Sequence, residues 1–244
     1  MDVNGSVALV TGANRGIGKS LAHELLERGA AKVYAGVRDP ASISDPRLTP
    51  IALDVTDHAR FAELAQQLGD VTLVVNNAGI GRPATPLQAT LEDARAQLET
   101  NYLSLVASTQ AFAPVLAANG GGAFVNVLSV LSWVALPSLA TYSASKAAAW
   151  AFTNAARIEL KANGTQVVGV HVGFVDTDLT AGLDTDKVSP QLVASATLDA
   201  LEANQPEALV DDFSRFVKSS LHDDLGLIYP GIEAQFAAAA GAAA

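Results

Sequence analysis

Short apolar runs rich in Val, Ala and Leu alternate along this chain with longer runs whose apolar positions recur at helical spacing. SVALV (6–10), KVYAGV (32–37), PIAL (50–53), VTLVV (71–75), TQVVGVHV (165–172) and EALV (207–210) read as buried strands. GGGAFVNVLS (120–129) reads as a glycine turn feeding another strand. Between them, IGKSLAHELLERG (17–29) predicts a helix closed by Gly29, and HARFAELAQQLG (58–69) a helix capped by Asp57 or Thr56. A long helical region runs from about Leu91 to Asn119, with an interruption predicted near Pro114. Further helices are expected over 141–163, ending in Asn-Gly, and over 189–204. Strand–helix alternation with uniformly apolar strands means a parallel sheet covered by helices on both faces, an α/β doubly wound fold. No interior linker, repeat or charge block divides the 244 residues, so one domain over 1–244 is expected. The tail AAAAGAAA (237–244) is low in complexity.

Composition narrows the function classes. Hydrophobic residues make up 50% and charged residues 16%, a lean polar surface that suits a compact globule with further surface hidden in an oligomer. A net charge of −10 disfavours nucleic-acid and anionic-membrane partners. Any anionic ligand must then be held by local basic residues. The absence of cysteine excludes disulfides and thiolate chemistry. His23, His58, His171 and His222 have no metal-ligand spacing and read as structural or solvent-exposed, so no metal is expected. No signal peptide is visible, and the apolar region 123–140 is broken by Asn126, Ser129, Ser132 and Pro137, so no membrane span is expected. A soluble cytoplasmic protein is the expectation.

ALVTGANRGIG passes from a strand through Gly12, Gly16 and Gly18 into a helix. The spacing G-x-x-x-G-x-G is a variant of the dinucleotide fingerprint G-x-G-x-x-G. Glycine lets the backbone approach a pyrophosphate closely, and the helix beyond offers open N–H groups. The second strand ends in VYAGVRDP, with Val37 where an acid would hold the ribose of NAD. Arg38 follows it and Arg15 lies in the glycine loop. Two guanidiniums in a chain of this charge favour a 2′-phosphate, hence NADP(H). The alternative is that both are surface arginines and Asp39 takes the acidic role.

TYSASKAAA (141–149) places Tyr142 and Lys146 four positions apart, on one helix face. Alone, this is an exposed pair. With TGANRGIG (11–18), NNAG (76–79), Asn101 and Ser129, thirteen positions before Tyr142, the chain resembles a short-chain dehydrogenase/reductase from Val7 to about Thr180. The resemblance implies a Rossmann-like sheet of about seven strands. It implies cofactor contacts from Gly12, Asn14, Arg15, Gly16, Ile17 and Gly18, and from Arg38. It implies that Asp54 and Val55 flank the adenine, and that Asn76, Ala78 and Gly79 line the adenosine and ribose region. In VGFVDTDL it implies nicotinamide contacts from Val175 and Thr177. Most members of the family have Pro-Gly where this chain has Val172-Gly173, which removes a rigid φ. The family's frequent second serine is Val130 here, leaving Ser129 the sole candidate.

The chemistry of such a set is carbonyl–alcohol exchange. A phenol has an ordinary pKa near 10, and a cation about one turn away should lower it. Tyr142 is then the general acid in reduction and the general base in oxidation, with Lys146 its tuner. By resemblance, Lys146 also bonds the nicotinamide ribose and Asn101 holds a water that relays protons to Lys146. Ser129, at a strand's C-terminal end, is placed to bond the carbonyl oxygen. Val130, Leu131, Trp133, Val134, Leu136 and Phe174 lie in segments expected around the cleft. The lid, about 176–188 within a substrate region 176–220, carries Asp176, Asp178, Asp184 and Asp186 against Lys187. That disfavours an acyl carrier protein or another anionic substrate. The leading reading is an NADPH-dependent reductase of a neutral, fairly hydrophobic ketone or aldehyde. Alternatives are a non-catalytic NADP-binding sensor or scaffold, a 3-oxoacyl thioester reductase, and a dehalogenase or epimerase of the same fold. A homodimer or homotetramer packed through the 91–119 and 141–163 helices follows by resemblance.

Overall fold

Seven strands form one sheet in a computed structural model that describes residues 1–242, with side chains through 238. They are β1 (Val7–Thr11), β2 (Lys32–Val37), β3 (Thr49–Ala52), β4 (Leu73–Asn76), β5 (Gly122–Val127), β6 (Thr165–His171) and β7 (Glu207–Leu209). All pairings are parallel, in the order β3-β2-β1-β4-β5-β6-β7. β1 sits inside the sheet and its VALVT run is almost wholly buried, as a strand covered on both faces must be. β3 is an edge strand, which is why Pro50 is tolerated within it.

Alternation along the strands divides the core in two. On one face Ala8, Val10, Val33, Val75, Val125 and Val168 pack against Leu21 and Leu25 of α1 (Gly16–Glu27) and Val193, Leu198 and Leu201 of α6 (Pro190–Glu202). On the other, Leu9, Tyr34, Val74, Phe124 and Val167 meet Phe61 and Leu64 of α2 (His58–Gln67), Phe112 and Leu116 of α4 (Ser104–Ala118) and Leu160 of α5 (Ala140–Leu160). Fully buried side chains of this size contribute about 1.5–3 kcal/mol each.

Two differences from the sequence reading stand out. The long helical region does not break at Pro114, which lies inside α4. Pro114 faces outward, and the carbonyl its missing N–H leaves, that of Gln110, is on an exposed residue open to water. The irregularity falls earlier, as a π-turn over Glu99–Leu103 between α3 (Leu91–Leu98) and α4. Beyond β7 the chain is helical, through α7 (Asp212–Ser220), α8 (Asp224–Leu227) and α9 (Tyr229–Ala242), where only a lid region and a tail are predicted. The tail expected at 237–244 forms the end of α9 as far as 242, and its last two residues lie outside the described residues. Among the described residues no helix is long and apolar enough to cross a membrane.

The strand order reverses between β1 and β4, since the chain builds outward to β3 and then returns to the other side of β1. Ligands of such sheets bind in the crevice beyond the strand ends at that point. The C-terminal ends of β1 and β4 carry the glycine loop and the NNAG stretch.

Candidate active site

The glycine loop and NNAG are bonded into one body. The Thr11 hydroxyl accepts the N–H groups of Asn77 and Ala78, both at 3.0 Å. The Asn77 amide donates to the carbonyls of Thr11 and Gly12 at 2.9 and 3.3 Å. Gly12 and Gly16 have φ of +68° and +53°, a region that favours glycine. A Cβ on Gly18 would fall well inside 3.0 Å of the Gly12 carbonyl and the Asn77 amide. The first turn of α1 has neither a capping side chain nor an acidic residue, so its N–H groups are open to an anion. Close backbone, open donors and no competing carboxylate fit a dinucleotide's pyrophosphate. Asn14 is exposed in this loop, and Ile17 packs on the α1-side core.

The segment after β6 closes on the same loop. Thr177 Cγ2 would lie 3.1 Å from a Cβ on Gly16, and Arg15 pairs with Asp178 at 2.8 Å. Val175 is buried and bridges Val188, so 176–187 is a loop pinned at its base. The main-chain N–H of Gly173 donates to Asp211 Oδ2 at 2.8 Å. A side chain from the start of α7 thus restrains the turn that the missing proline leaves loose.

Beyond β2 and β3, Arg38 is exposed and faces Asp54, whose carboxylate is held below its usual range mainly by the N–H and hydroxyl of Thr56. Asp39 turns to its own chain, accepting the N–H of Ala41 at 3.0 Å. Val55 is buried in the α2-side core. The expectation for Asn76 needs narrowing. Its amide donates to Asn126 Oδ1 at 2.9 Å inside the sheet, which leaves its Oδ1 rather than its whole side chain for a ligand.

Asn101, Ser129, Tyr142 and Lys146 converge. Ser129 follows β5, its hydroxyl accepts the Leu131 N–H at 3.1 Å, and it faces the Tyr142 phenol closely enough to favour the phenolate. Lys146 is buried; its Nζ donates to the Val127 carbonyl at 2.9 Å and lies 5.8 Å from the Tyr142 ring centre. A Cβ on Gly79 would sit between Asn101 Oδ1 and Lys146 Nζ. Asn101, in the π-turn, spends its amide on the N–H and carbonyl of Ile80 and on Ser145 Oγ, all at 2.9 Å. Both amide hydrogens are therefore taken, while Oδ1 keeps one lone pair.

The electrostatics differ from the sequence expectation in one respect. Burial pushes the Tyr142 phenol up to about 12, with the Ser129 hydroxyl opposing, and pushes Lys146 down to about 8. Desolvation penalises phenolate and ammonium alike and is the largest influence on both groups, so the phenol is raised where the helical spacing predicts it lowered.

A family model described as short chain dehydrogenase matches residues 6–188, from the first strand through the glycine loop and the Ser129–Tyr142–Lys146 set to the base of the lid. The chain belongs to the short chain dehydrogenase family. It is an oxidoreductase of that family, and its relatives differ in substrate. A short chain dehydrogenase from Burkholderia cenocepacia, solved in complex with NADP, is 40% identical, with a TM-score of 0.90 over 95% of this chain and 99% of that one. A 3-oxoacyl-(acyl-carrier-protein) reductase of Vibrio cholerae is 33% identical over 77% of this chain and 80% of its own. A cis-4-hydroxycyclohexanecarboxylate dehydrogenase of Sinomonas cyclohexanicum is 35% identical over 74% of this chain and 77% of its own.

Three features of this short chain dehydrogenase's site have no motif in the sequence. Gln97, fully buried in α3, accepts the Arg82 N–H at 3.0 Å and donates to Thr141 Oγ1 at 2.7 Å, beside Tyr142. Asp211 holds the Gly173 turn. Tyr142, Leu136 and Leu139 share an apolar cluster with Val217 of α7 and with Ile228, Tyr229 and Ile232 from the helices beyond. Of the expected cleft residues, Val130, Leu131 and Val134 are buried core of that cluster, and Trp133 and Leu136 are half-buried against it.

Proposed function

We propose that this short chain dehydrogenase interconverts a neutral, fairly hydrophobic ketone or aldehyde and its alcohol, with NADP(H) as hydride carrier. The observation that carries the reading is the convergence of Ser129 and the Tyr142 phenol with Lys146, buried and with its Nζ 5.8 Å from the phenol ring centre. The cofactor supplies the hydride to the carbonyl carbon. The chain's residues handle the oxygen. Ser129 donates to it as negative charge develops, and Tyr142 delivers the proton that completes the alcohol. Lys146 balances the phenolate left behind. A phenol held at about 12 keeps its proton across neutral pH and so is in the form that reduction requires.

NADP(H) is supported by exposed Arg38 at the end of β2, by Asp39 being turned to Ala41, and by the NADP complex of the 40% identical structure. The apolar surroundings of Tyr142 and the acidic lid support a neutral substrate. The 3-oxoacyl reductase relatives favour a second reading, a 3-oxoacyl thioester. The deciding experiment is NADPH oxidation against a panel of neutral ketones and aldehydes, with acetoacetyl-CoA alongside. Turnover of acetoacetyl-CoA far above every neutral carbonyl would replace the first reading with the second. Tight NADPH binding without any turnover, unaltered by Tyr142→Phe, would favour a sensor or scaffold.

A homodimer or homotetramer completes the proposal. The groove between α4 and α5, lined by Thr109, Ala113, Phe152 and Ala155 with Ile158 exposed nearby, is its contact face. Light scattering on the purified protein, showing only a monomer, would reject it. The same reading places the protein in the cytoplasm.

A further inference from the structure

His171 in β6 is completely buried, and the chemistry above gives it no part. Its Nδ1 lies 3.1 Å from the main-chain carbonyl of Ser129. A carbonyl oxygen only accepts, so Nδ1 carries the proton and Nε2 holds the lone pair. Nε2 is buried with no hydrogen-bond partner among the described residues, and faces Glu207 Oε1 at 3.7 Å. Glu207 is itself held by Lys218 at 2.7 Å. Trp133 stacks on the imidazole at 3.8 Å between ring centres and 17° between planes, with Lys218 Nζ 4.8 Å from the indole. The indole packs on the face of the ring, and the Glu207–Lys218 pair lies at its edge.

An unpartnered buried nitrogen is unfavourable, and an apolar side chain would fill this space without it. The compensation lies at Ser129. Leu128 and Val130, on either side, donate to the carbonyls of Val170 in β6 and of Val172 just beyond it, at 2.9 and 3.0 Å. Ser129 between them is held otherwise: its N–H donates to Ser132 Oγ at 3.2 Å, and its carbonyl accepts both the Ser132 N–H at 3.0 Å and the imidazole. We infer that His171 is a positioning residue for the reaction, fixing the Ser129 main chain through Nδ1–H so that the serine hydroxyl stays on Tyr142 and on the substrate oxygen. This rests on the reading of Ser129 as the hydroxyl that binds the carbonyl.

Three substitutions test it. His171→Asn puts an amide nitrogen where Nδ1 stood and keeps the donor. His171→Gln carries its amide one bond further, and His171→Leu has none. The measurements are kcat and KM for carbonyl reduction, NADPH Kd, and circular dichroism on each full-length variant. A small displacement at a reacting group costs up to about 100-fold in rate, so Gln and Leu should lose roughly tenfold or more in kcat with NADPH Kd unchanged. Asn should stay within about threefold of the parent, because the tether to Ser129 persists. A kcat for Leu equal to the parent's, or Asn falling as far as Leu, overturns the inference. If Leu does not fold, the contrast between Asn and Gln decides alone, and equal values overturn it. Ser129→Ala separates the two layers: full turnover sinks both readings, whereas lost turnover beside an unaffected His171→Leu sinks only the positioning role.

Discussion

Asp211 Oδ2 accepts the main-chain N–H of Gly173 while its Oδ1 accepts that of Ser214, at 2.8 and 2.7 Å. One carboxylate thus caps α7 and ties down the turn leaving β6. A lost cap costs about 1 kcal/mol and a lost charge-assisted hydrogen bond about 1.5–3 kcal/mol. Asp211→Ala should therefore lower the melting temperature by several degrees and weaken NADPH binding, with Asp211→Asn in between. Calorimetry and fluorescence titration check both, and an Ala variant that melts and binds like the parent would show the tether to be idle.

Gly18→Ala should abolish NADPH binding, because its methyl would collide with the Gly12 carbonyl and the Asn77 amide that shape the phosphate cradle. Gly69→Ala is the control, since nothing lies within 4 Å of its Cβ position. Titration calorimetry of the two variants should give no detectable binding for the first and parental affinity for the second.

Arg38→Asp should move cofactor preference from NADPH toward NADH. Losing a guanidinium from a phosphate and adding a carboxylate for the ribose hydroxyl predicts a fall of about 10- to 100-fold in kcat/KM with NADPH. The ratio of kcat/KM for the two cofactors reads this directly. A parent that uses NADH as well as NADPH would remove the basis of the argument.

Acid should destabilise the fold through His171. Burial pushes its imidazole down to about 4 from an ordinary value of 6.5; the Ser129 carbonyl and Glu207 oppose that shift, and Lys218 and Arg157 reinforce it. Between those values the unfolded chain binds a proton that the folded chain refuses. The contribution is full above about 6.5 and is lost as pH falls toward 4. Melting curves between about pH 7 and 5 should decline less steeply for His171→Asn, and parallel declines would assign the effect to other groups.

The sheet was legible because its strands are buried on both faces and announce themselves as unbroken apolar runs, with errors of one or two residues at their ends. The residues gathered at Tyr142 were legible through spacing, which survives without any knowledge of contacts. What stayed hidden depends on distance in space. Gln97 reads as one more polar residue in a helix, and Asp211 as a helix cap, until the fold sets them against Thr141 and Gly173. His171 reads as a structural histidine, and its partner carbonyl is 42 positions away. Pro114 misled because local chemistry flags proline as a breaker, whereas an outward-facing proline leaves its helix running. The raised phenol escaped the reading because desolvation is a property of packing, not of the Tyr142–Lys146 spacing.

The π-turn at Glu99–Leu103 also sets an angular phase. The inward positions run Gln97, Asn101, Leu105, Thr109, Phe112 and Leu116, a mean step longer than the 3.6 residues of an α-helix. The wide turn absorbs that excess, so the buried stripe runs without a break from α3, against α5, into α4, where Phe112 and Leu116 pack on the sheet and α2. Removing Tyr102 or Leu103 would restore an ordinary helix and rotate everything before it by about 100° relative to α4. Gln97 and Asn101 would swing away from Thr141 and Ser145 together. The two amides that flank the proton donor are therefore synchronised by one irregular turn, so a change in its length moves both, whereas a substitution at Gln97 leaves Asn101 in place.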